Sequence, residues 1–419
     1  MREMKDSGFG WLGKVPSNWK VERLQWHLYE INVKNNPIRT TNVLSLTNKK
    51  GVIPYEQKGA QGNISKENYN EYHLAYKDTI VANSMNILIG SVGYSDYYGC
   101  VSPVYYVFKE KEDNDLHFFN YIMQTTQFQR ELRKYANGIL EIRLRVSSDD
   151  ILKRMIAVPK CGEQKRIAAY LDGQCKKIDE IMADIQNQID TLENYKKSVI
   201  SEAVTRGLDP NAKITKSRIF YMAPYNKEWY LTKIGYCCKK LWRTFAPEDT
   251  ALICTNKGKV SVRPEEMTGK MVSEDNAMQG IKKGDIAIHG MDTWHGSVAY
   301  SDYDGKITRV VHVCDSAEDK RFIVYYLQQL AFNGVYKLIS NGIRGNTSDF
   351  RSWDKVADIY IALPRVDEQQ QISDYLDKKC AEIDSIIENK KAQLETIENY
   401  KKSLIYEYVT GKKEVPENE

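Results

Sequence analysis

The sequence predicts an α+β protein in which two mixed α/β globules are separated by two long helices forming an antiparallel coiled coil, the whole built as a pseudo-two-fold internal repeat. Three observations carry this expectation. A segment of about 43 residues recurs at a constant offset of 205, with roughly half of its positions identical. Both copies place apolar residues at alternating steps of four and three. A second, more diverged unit precedes each copy, so the order is globule, helix, globule, helix.

The first globule, residues 1–160, has Pro16 shortly before Trp19 and closes on Ile156-Ala157-Val158-Pro159. Asp78 to Ala82 and Val101 to Phe108 read as strands, and Leu116 to Tyr135 as a helix leading to the Asn137-Gly138 turn. Gly90-Ser91-Val92 reads as a turn or bulge at the head of a strand rather than a nucleotide loop.

Residues 161–210 form the first helical spacer. Its seam is Leu171, Cys175, Ile178, Met182, Ile185, Ile189 and Leu192, and Gly207-Leu208-Asp209-Pro210 supplies a stop. At 1.5 Å per residue such a helix is roughly 65 Å long, with one apolar stripe that needs a partner. The other copy is the natural one.

The second globule, residues 211–365, repeats the landmarks of the first. Pro224 stands before Trp229, Gly296-Ser297-Val298 matches Gly90-Ser91-Val92, Asn341-Gly342-Ile343 matches Asn137-Gly138-Ile139, and Ile361-Ala362-Leu363-Pro364 closes it. Asp285 to Ile288 reads as a strand and Asp319 to Tyr336 as a helix. The second spacer, residues 366–412, has the seam Leu376, Cys380, Ile383, Ile387, Lys390, Leu394 and Ile397, with Lys390 the one polar member, and residues 413–419 form a tail.

Composition narrows the function classes. The chain has 419 residues, 42% hydrophobic and 28% charged, in the range of globular proteins. No apolar run approaches the roughly 20 residues of a membrane helix, and the start lacks the apolar stretch of a signal peptide, so a cytoplasmic protein with no membrane contact is expected. Eight cysteines are scattered without CxxC pairs, which predicts reduced, mostly buried thiols and no metal site. A net charge of +4 is too small to argue for nucleic acid by itself. No phosphate loop, zinc helix, nucleophile elbow or methyltransferase motif occurs, and Arg263-Pro264-Glu265-Glu266 with Lys270 is too loosely spaced for a nuclease centre. Catalysis is therefore expected in partners, not in this chain.

The opening run Asp6-Ser7-Gly8-Phe9-Gly10-Trp11-Leu12-Gly13-Lys14-Val15-Pro16-Ser17-Asn18-Trp19, the proline and then Glu-Gln before each helix, and Leu-Asp at 171–172 and 376–377 resemble Type I restriction-modification specificity subunits over nearly the whole chain. The resemblance implies that each globule is a target recognition domain reading one half of a bipartite DNA sequence. It also implies docking of two methyltransferase (M) subunits and of restriction/translocase (R) subunits. S-adenosylmethionine, ATP and magnesium would belong to those partners, with no cofactor in this chain.

Base reading calls for Arg, Lys, Asn, Gln and aromatic side chains on loops. Candidates in the first head are Lys49, Lys50, Asn83, Ser84, Asn86, Arg143 and Arg145. In the second they are Trp242, Arg243, Asp292, Thr293, Trp294, His295, Arg344 and Asn346. The pairs Lys196-Lys197 and Lys401-Lys402 read as a solvated helix face or as phosphate or partner contacts. The competing expectation is a structural coiled-coil interaction protein whose heads only cap a rod.

Overall fold

A computed structural model describes residues 2–47, 51–58, 68–111, 113–138, 144–264, 277–340 and 349–416. The chain divides into two compact units, Met1–Gln186 with Ala392–Glu419, and Asn187–Lys391. Each unit holds one head, the near end of one long helix and the far end of the other.

The first head is organised on a four-stranded antiparallel sheet ordered Leu28–Glu30, Tyr105–Glu110, Thr79–Asn83, Val92–Ser95. Successive strand side chains point to opposite faces. Ile80, Ala82, Val92 and Phe108 therefore face the core beneath the helices, while Val81 and Val107 join a second cluster with Leu44, Leu46 and Val52. Burial on both faces explains why Ile80-Val81-Ala82, at the centre of Thr79–Asn83, is apolar without alternation.

The expected strand from Val101 to Phe108 is interrupted at Ser102-Pro103-Val104, leaving Gly99–Val101 and Tyr105–Glu110 in different sheets. Proline cannot donate to a ladder, which explains the break. The expected helix from Leu116 to Tyr135 is two, Leu116–Gln124 and Thr126–Arg133. Thr125 divides them: its hydroxyl donates to the Ile122 carbonyl at 2.7 Å and accepts from the Phe128 amide at 3.3 Å, ending one helix while capping the next.

The second head repeats this plan, with Cys238–Leu241, Val311–Ser316, Ile286–His289 and Val298–Tyr300 in the same order. Ile286, Ile288, Val298 and Cys314 face its main core, and Ala287, Ala299, Val311 and Val313 a smaller one. Its expected helix from Asp319 to Tyr336 is also two, Lys320–Phe332 and Val335–Ile339, separated at Gly334 with φ +70°.

The long helices are Cys161–Arg206 and Val366–Val409, and they pair antiparallel within each unit. In the first unit Tyr170 packs against Tyr408 with the rings tilted by 39° and centroids 4.7 Å apart, and Lys401 Nζ donates to both oxygens of Asp179 at 2.6 and 2.7 Å. In the second, Lys196 donates to both oxygens of Asp384 at 2.7 and 2.8 Å. These ion pairs are the same pair with the copies exchanged. Half-exposed pairs are worth only about 0.2–1 kcal/mol, so their value is in fixing register. Lys196 and Lys401 are thus internal clamps rather than a solvated face. The polar seam residue Lys390 extends its ammonium to Gln188 Oε1.

The repeated Glu-Gln pair fastens each head to its helix. The Trp19 indole donates to Glu163 at 3.2 Å and that of Trp229 to Glu368 at 3.1 Å. Gln164 accepts from the Asp115 amide and donates to the Pro159 carbonyl; Gln369 does the same with Asp319 and Pro364. Leu404, Ile405, Tyr408 and Val409 complete the core of the first head, and Ile200, Ala203 and Val204 that of the second. All eight cysteines are free and six are buried. Among the described residues, no helix is long and apolar enough to cross a membrane.

Candidate nucleic-acid interface

In each head the central strand leads into a tight turn whose backbone bonding is the same while its side chains differ. In the first, Ile89 N donates to Asn86 O, Gly90 N to Ile87 O, Ser91 N to Asn86 O and Asn83 N to Ser91 O. In the second, His295 N donates to Asp292 O, Gly296 N to Thr293 O, Ser297 N to Asp292 O and His289 N to Ser297 O. Gly90 and Gly296 close the turns at φ +88° and +85°, a left-handed conformation that a side chain would strain.

Side-chain support is matched as well. Asn83 Oδ1 accepts from the Met85 amide at 3.0 Å, and His289 Nδ1 accepts from the Met291 amide at 3.3 Å. A second segment is tied beside each turn, by Val146 N to Ser84 O in one head and Phe350 N to Gly290 O in the other. These bonds bring Arg145 next to the first turn and Arg351 next to the second.

His289 can accept only while Nδ1 is unprotonated. Burial pushes its pKa below the ordinary 6.5, the nearby Asp292 carboxylate opposing this, and burial also lowers that of His312, which donates to the Phe350 carbonyl at 2.7 Å. A histidine with a depressed pKa binds fewer protons folded than unfolded, so its contribution is present above about pH 6.5 and lost as pH falls below it. The second unit is therefore expected to melt at progressively lower temperature from pH 7 to pH 5. The asparagine of the first head does not titrate, so His289→Asn should reduce the slope. Calorimetry against pH checks this, and an unaltered slope in the variant would refute it.

The sequence candidates fall into four groups. Lys49, Lys50, Arg143, Arg344 and Asn346 lie outside the described residues. Asn83, Ser84 and Thr293 are buried and Trp294 partly so; Asn83 and Ser84 hold the turn through the bonds just described. Arg243 is committed to a two-pronged pair with the buried Asp285, at 2.8 Å on both prongs. Asn86, Arg145, Trp242 and His295 are exposed, and Asp292 is half-exposed with Oδ1 3.2 Å from His295 Nδ1. Lys240 Nζ lies 4.5 Å from the Trp242 ring centroid.

Sequence reasoning missed Ile89, Arg351 and Lys337, whose Nζ lies 5.9 Å from the Trp294 ring centroid. The signal for Ile89 was present in the aligned copies, where Ile87-Leu88-Ile89 stands opposite Thr293-Trp294-His295 before a shared Gly-Ser-Val. Among the described residues, no group of three or more His, Cys, Asp or Glu side chains is placed to hold a metal ion.

Residues 16–191 match the family of Type I restriction modification DNA specificity domains. Two proteins of Methanocaldococcus jannaschii are similar over almost their full lengths. The one named as the type I restriction enzyme MjaX specificity subunit is 22% identical, covering 96% of this chain and 95% of that one. The type I restriction enzyme MjaVIII specificity subunit is 23% identical, covering 95% and 94%. A solved chain described under the complex assembly and conformational transition of the type I R-M system has the same fold, with TM-score 0.68 at 12% identity over 94% of this chain and 98% of that one.

Proposed function

We propose that the chain is a Type I restriction-modification specificity subunit, the non-catalytic subunit that reads a bipartite DNA sequence, one head per half-site. Reading two half-sites needs two equivalent frames that present different groups to base edges. The observation that carries the proposal is the pair of end turns, alike in backbone bonding and different in outward side chains. Asn86 and Arg145 in the first head, and Asp292 and His295 in the second, are the side chains we assign to DNA. Exposed Trp242 is assigned to the backbone or a base face.

The same proposal has two methyltransferase subunits dock on this chain and restriction/translocase subunits complete the complex in the cytoplasm. S-adenosylmethionine, ATP and magnesium are assigned to those partners. Support for double docking comes from apolar side chains left half-exposed on the long helices, Ile181 and Tyr195 in one copy and Ile386 and Tyr400 in the other. They are identical at the offset of 205 while neighbouring exposed positions have diverged, Lys176 against Ala381 and Glu180 against Ser385 among them. A rod that only holds two caps apart gives no reason for such selective identity.

The test is to express the chain with its methyltransferase in a host lacking that methylation and to map the modified genomic motif. Replacing residues 1–160 by the head of a relative should change one half of the motif and leave the other intact. Both halves changing together would end the one-head, one-half-site reading. The chain alone, supplied with magnesium, ATP and S-adenosylmethionine, should neither cut nor methylate.

A further inference from the structure

We propose that positions 89 and 295 are one equivalent base-reading position in the two heads, and that Ile89 selects the 5-methyl group of a thymine in the major groove. The inference rests on the reading of the heads as DNA-binding units and adds the residue and the chemical group it recognises.

Each turn exposes three successive side chains to different extents. Ile87 and Thr293 are buried, Leu88 and Trp294 are partly buried against the head, and Ile89 and His295 point outward. Only the third is available to a ligand. Its place is fixed by the shared bonding of the turn and by the left-handed glycine that follows it. Substitution there changes what is presented without changing the frame.

Ile89 is 66% exposed, so it contributes little to the core. Its neighbours at the same end are the exposed polar side chains Asn86 and Arg145, the latter held beside the turn by the Val146 to Ser84 bond. An apolar group among hydrogen-bonding ones matches a base edge that carries one methyl among donors and acceptors, and in the major groove that edge belongs to thymine.

His295 presents a different group from the same position. Its Nδ1 lies 3.2 Å from the Asp292 carboxylate. A carboxylate accepts, so Nδ1 is the donor of this contact, and the neutral ring then has Nε2 as its acceptor. The complementary groups in the major groove are the exocyclic amines of adenine and cytosine.

The test uses the chain assembled with its methyltransferase on duplexes carrying the mapped motif. Each thymine in turn is replaced by deoxyuridine, which removes only the methyl. One thymine in the first-head half-site should weaken wild-type binding about fourfold when replaced, the effect of one buried methyl. The same replacement should leave Ile89→Ser unaffected, because the group that sensed the methyl is gone. His295→Ile should alter preference at a single position of the other half-site only.

A first-head half-site without thymine, or equal uracil sensitivity in wild type and Ile89→Ser at every thymine, overturns the assignment. Absence of any two-part motif in the wild type would instead end the DNA-reading proposal on which it rests.

Discussion

Trp19→Ala should lower the stability of the first unit by about 3–5 kcal/mol, the usual range for a buried tryptophan cut to alanine. Trp19 is 1% exposed and meets Phe118 edge-on with centroids 6.2 Å apart. It also joins three parts of the chain. Its indole donates to Glu163 at the start of the first long helix, the Arg2 guanidinium lies 5.7 Å from its ring centroid, and Gly411 beyond the second helix packs against it and Pro16, where a Cβ would come 3.1 Å from the ring and closer still to Pro16 Cγ. Removing the ring therefore opens a cavity and strips a hydrogen bond from Glu163. Against a typical stability of about 5–15 kcal/mol this is a large share.

In a calorimetric scan, the transition of the first unit should fall well below that of the second. Trp229→Ala, which removes the matching bond to Glu368 and the edge contact to Phe322 at 6.0 Å, should reverse the order. An unshifted first transition in Trp19→Ala would show that this junction does not govern the unit.

The double variant Tyr195→Asp, Tyr400→Asp should carry no methyltransferase, whereas each single variant should carry one copy and the wild type two. Ile181, Gln188 and Tyr195 follow one another at intervals of seven, as do Ile386, Gln393 and Tyr400, so each set lies along one flank of its helix. The antiparallel register set by Asp179 with Lys401 places Ile181 and Tyr400 at neighbouring levels in the first unit. That of Lys196 with Asp384 does the same for Tyr195 and Ile386 in the second.

Both tyrosines are at least half-exposed, so the melting of the free chain should barely change. A carboxylate forced into an apolar contact would, however, be desolvated without a partner. Light scattering on the purified complexes counts the copies. Two copies retained by the double variant would remove this flank from the docking surface.

The long helices were legible because their signal is one-dimensional: a fixed seam, recurring at a fixed offset, forces a paired rod whatever surrounds it. The heads were legible only in part. Ser102-Pro103 breaks a strand and Thr125 breaks a helix through single residues that local apolar content outvotes. Candidate side chains were harder still, since residue type says what a group can bind but not whether it is free. Asn83 and Arg243 have suitable chemistry, yet one braces its own turn and the other is held by Asp285. Ile89 lacked that chemistry, and only its outward place on a frame shared by both copies singles it out.

The first head is finished by residues 404–414. Leu404, Ile405, Tyr408 and Val409 complete its core, the Tyr406 hydroxyl and the Lys412 ammonium reach the carbonyls of Trp11 and Leu12, and Arg2 pairs with Glu414. During synthesis the order of assembly is thereby inverted. The second unit, Asn187–Lys391, has all its residues before the first does. At about 5–20 residues per second, the N-terminal head waits on the order of tens of seconds for the helix that closes it. A ribosome that stops short of Leu404 releases a chain whose first head is left open.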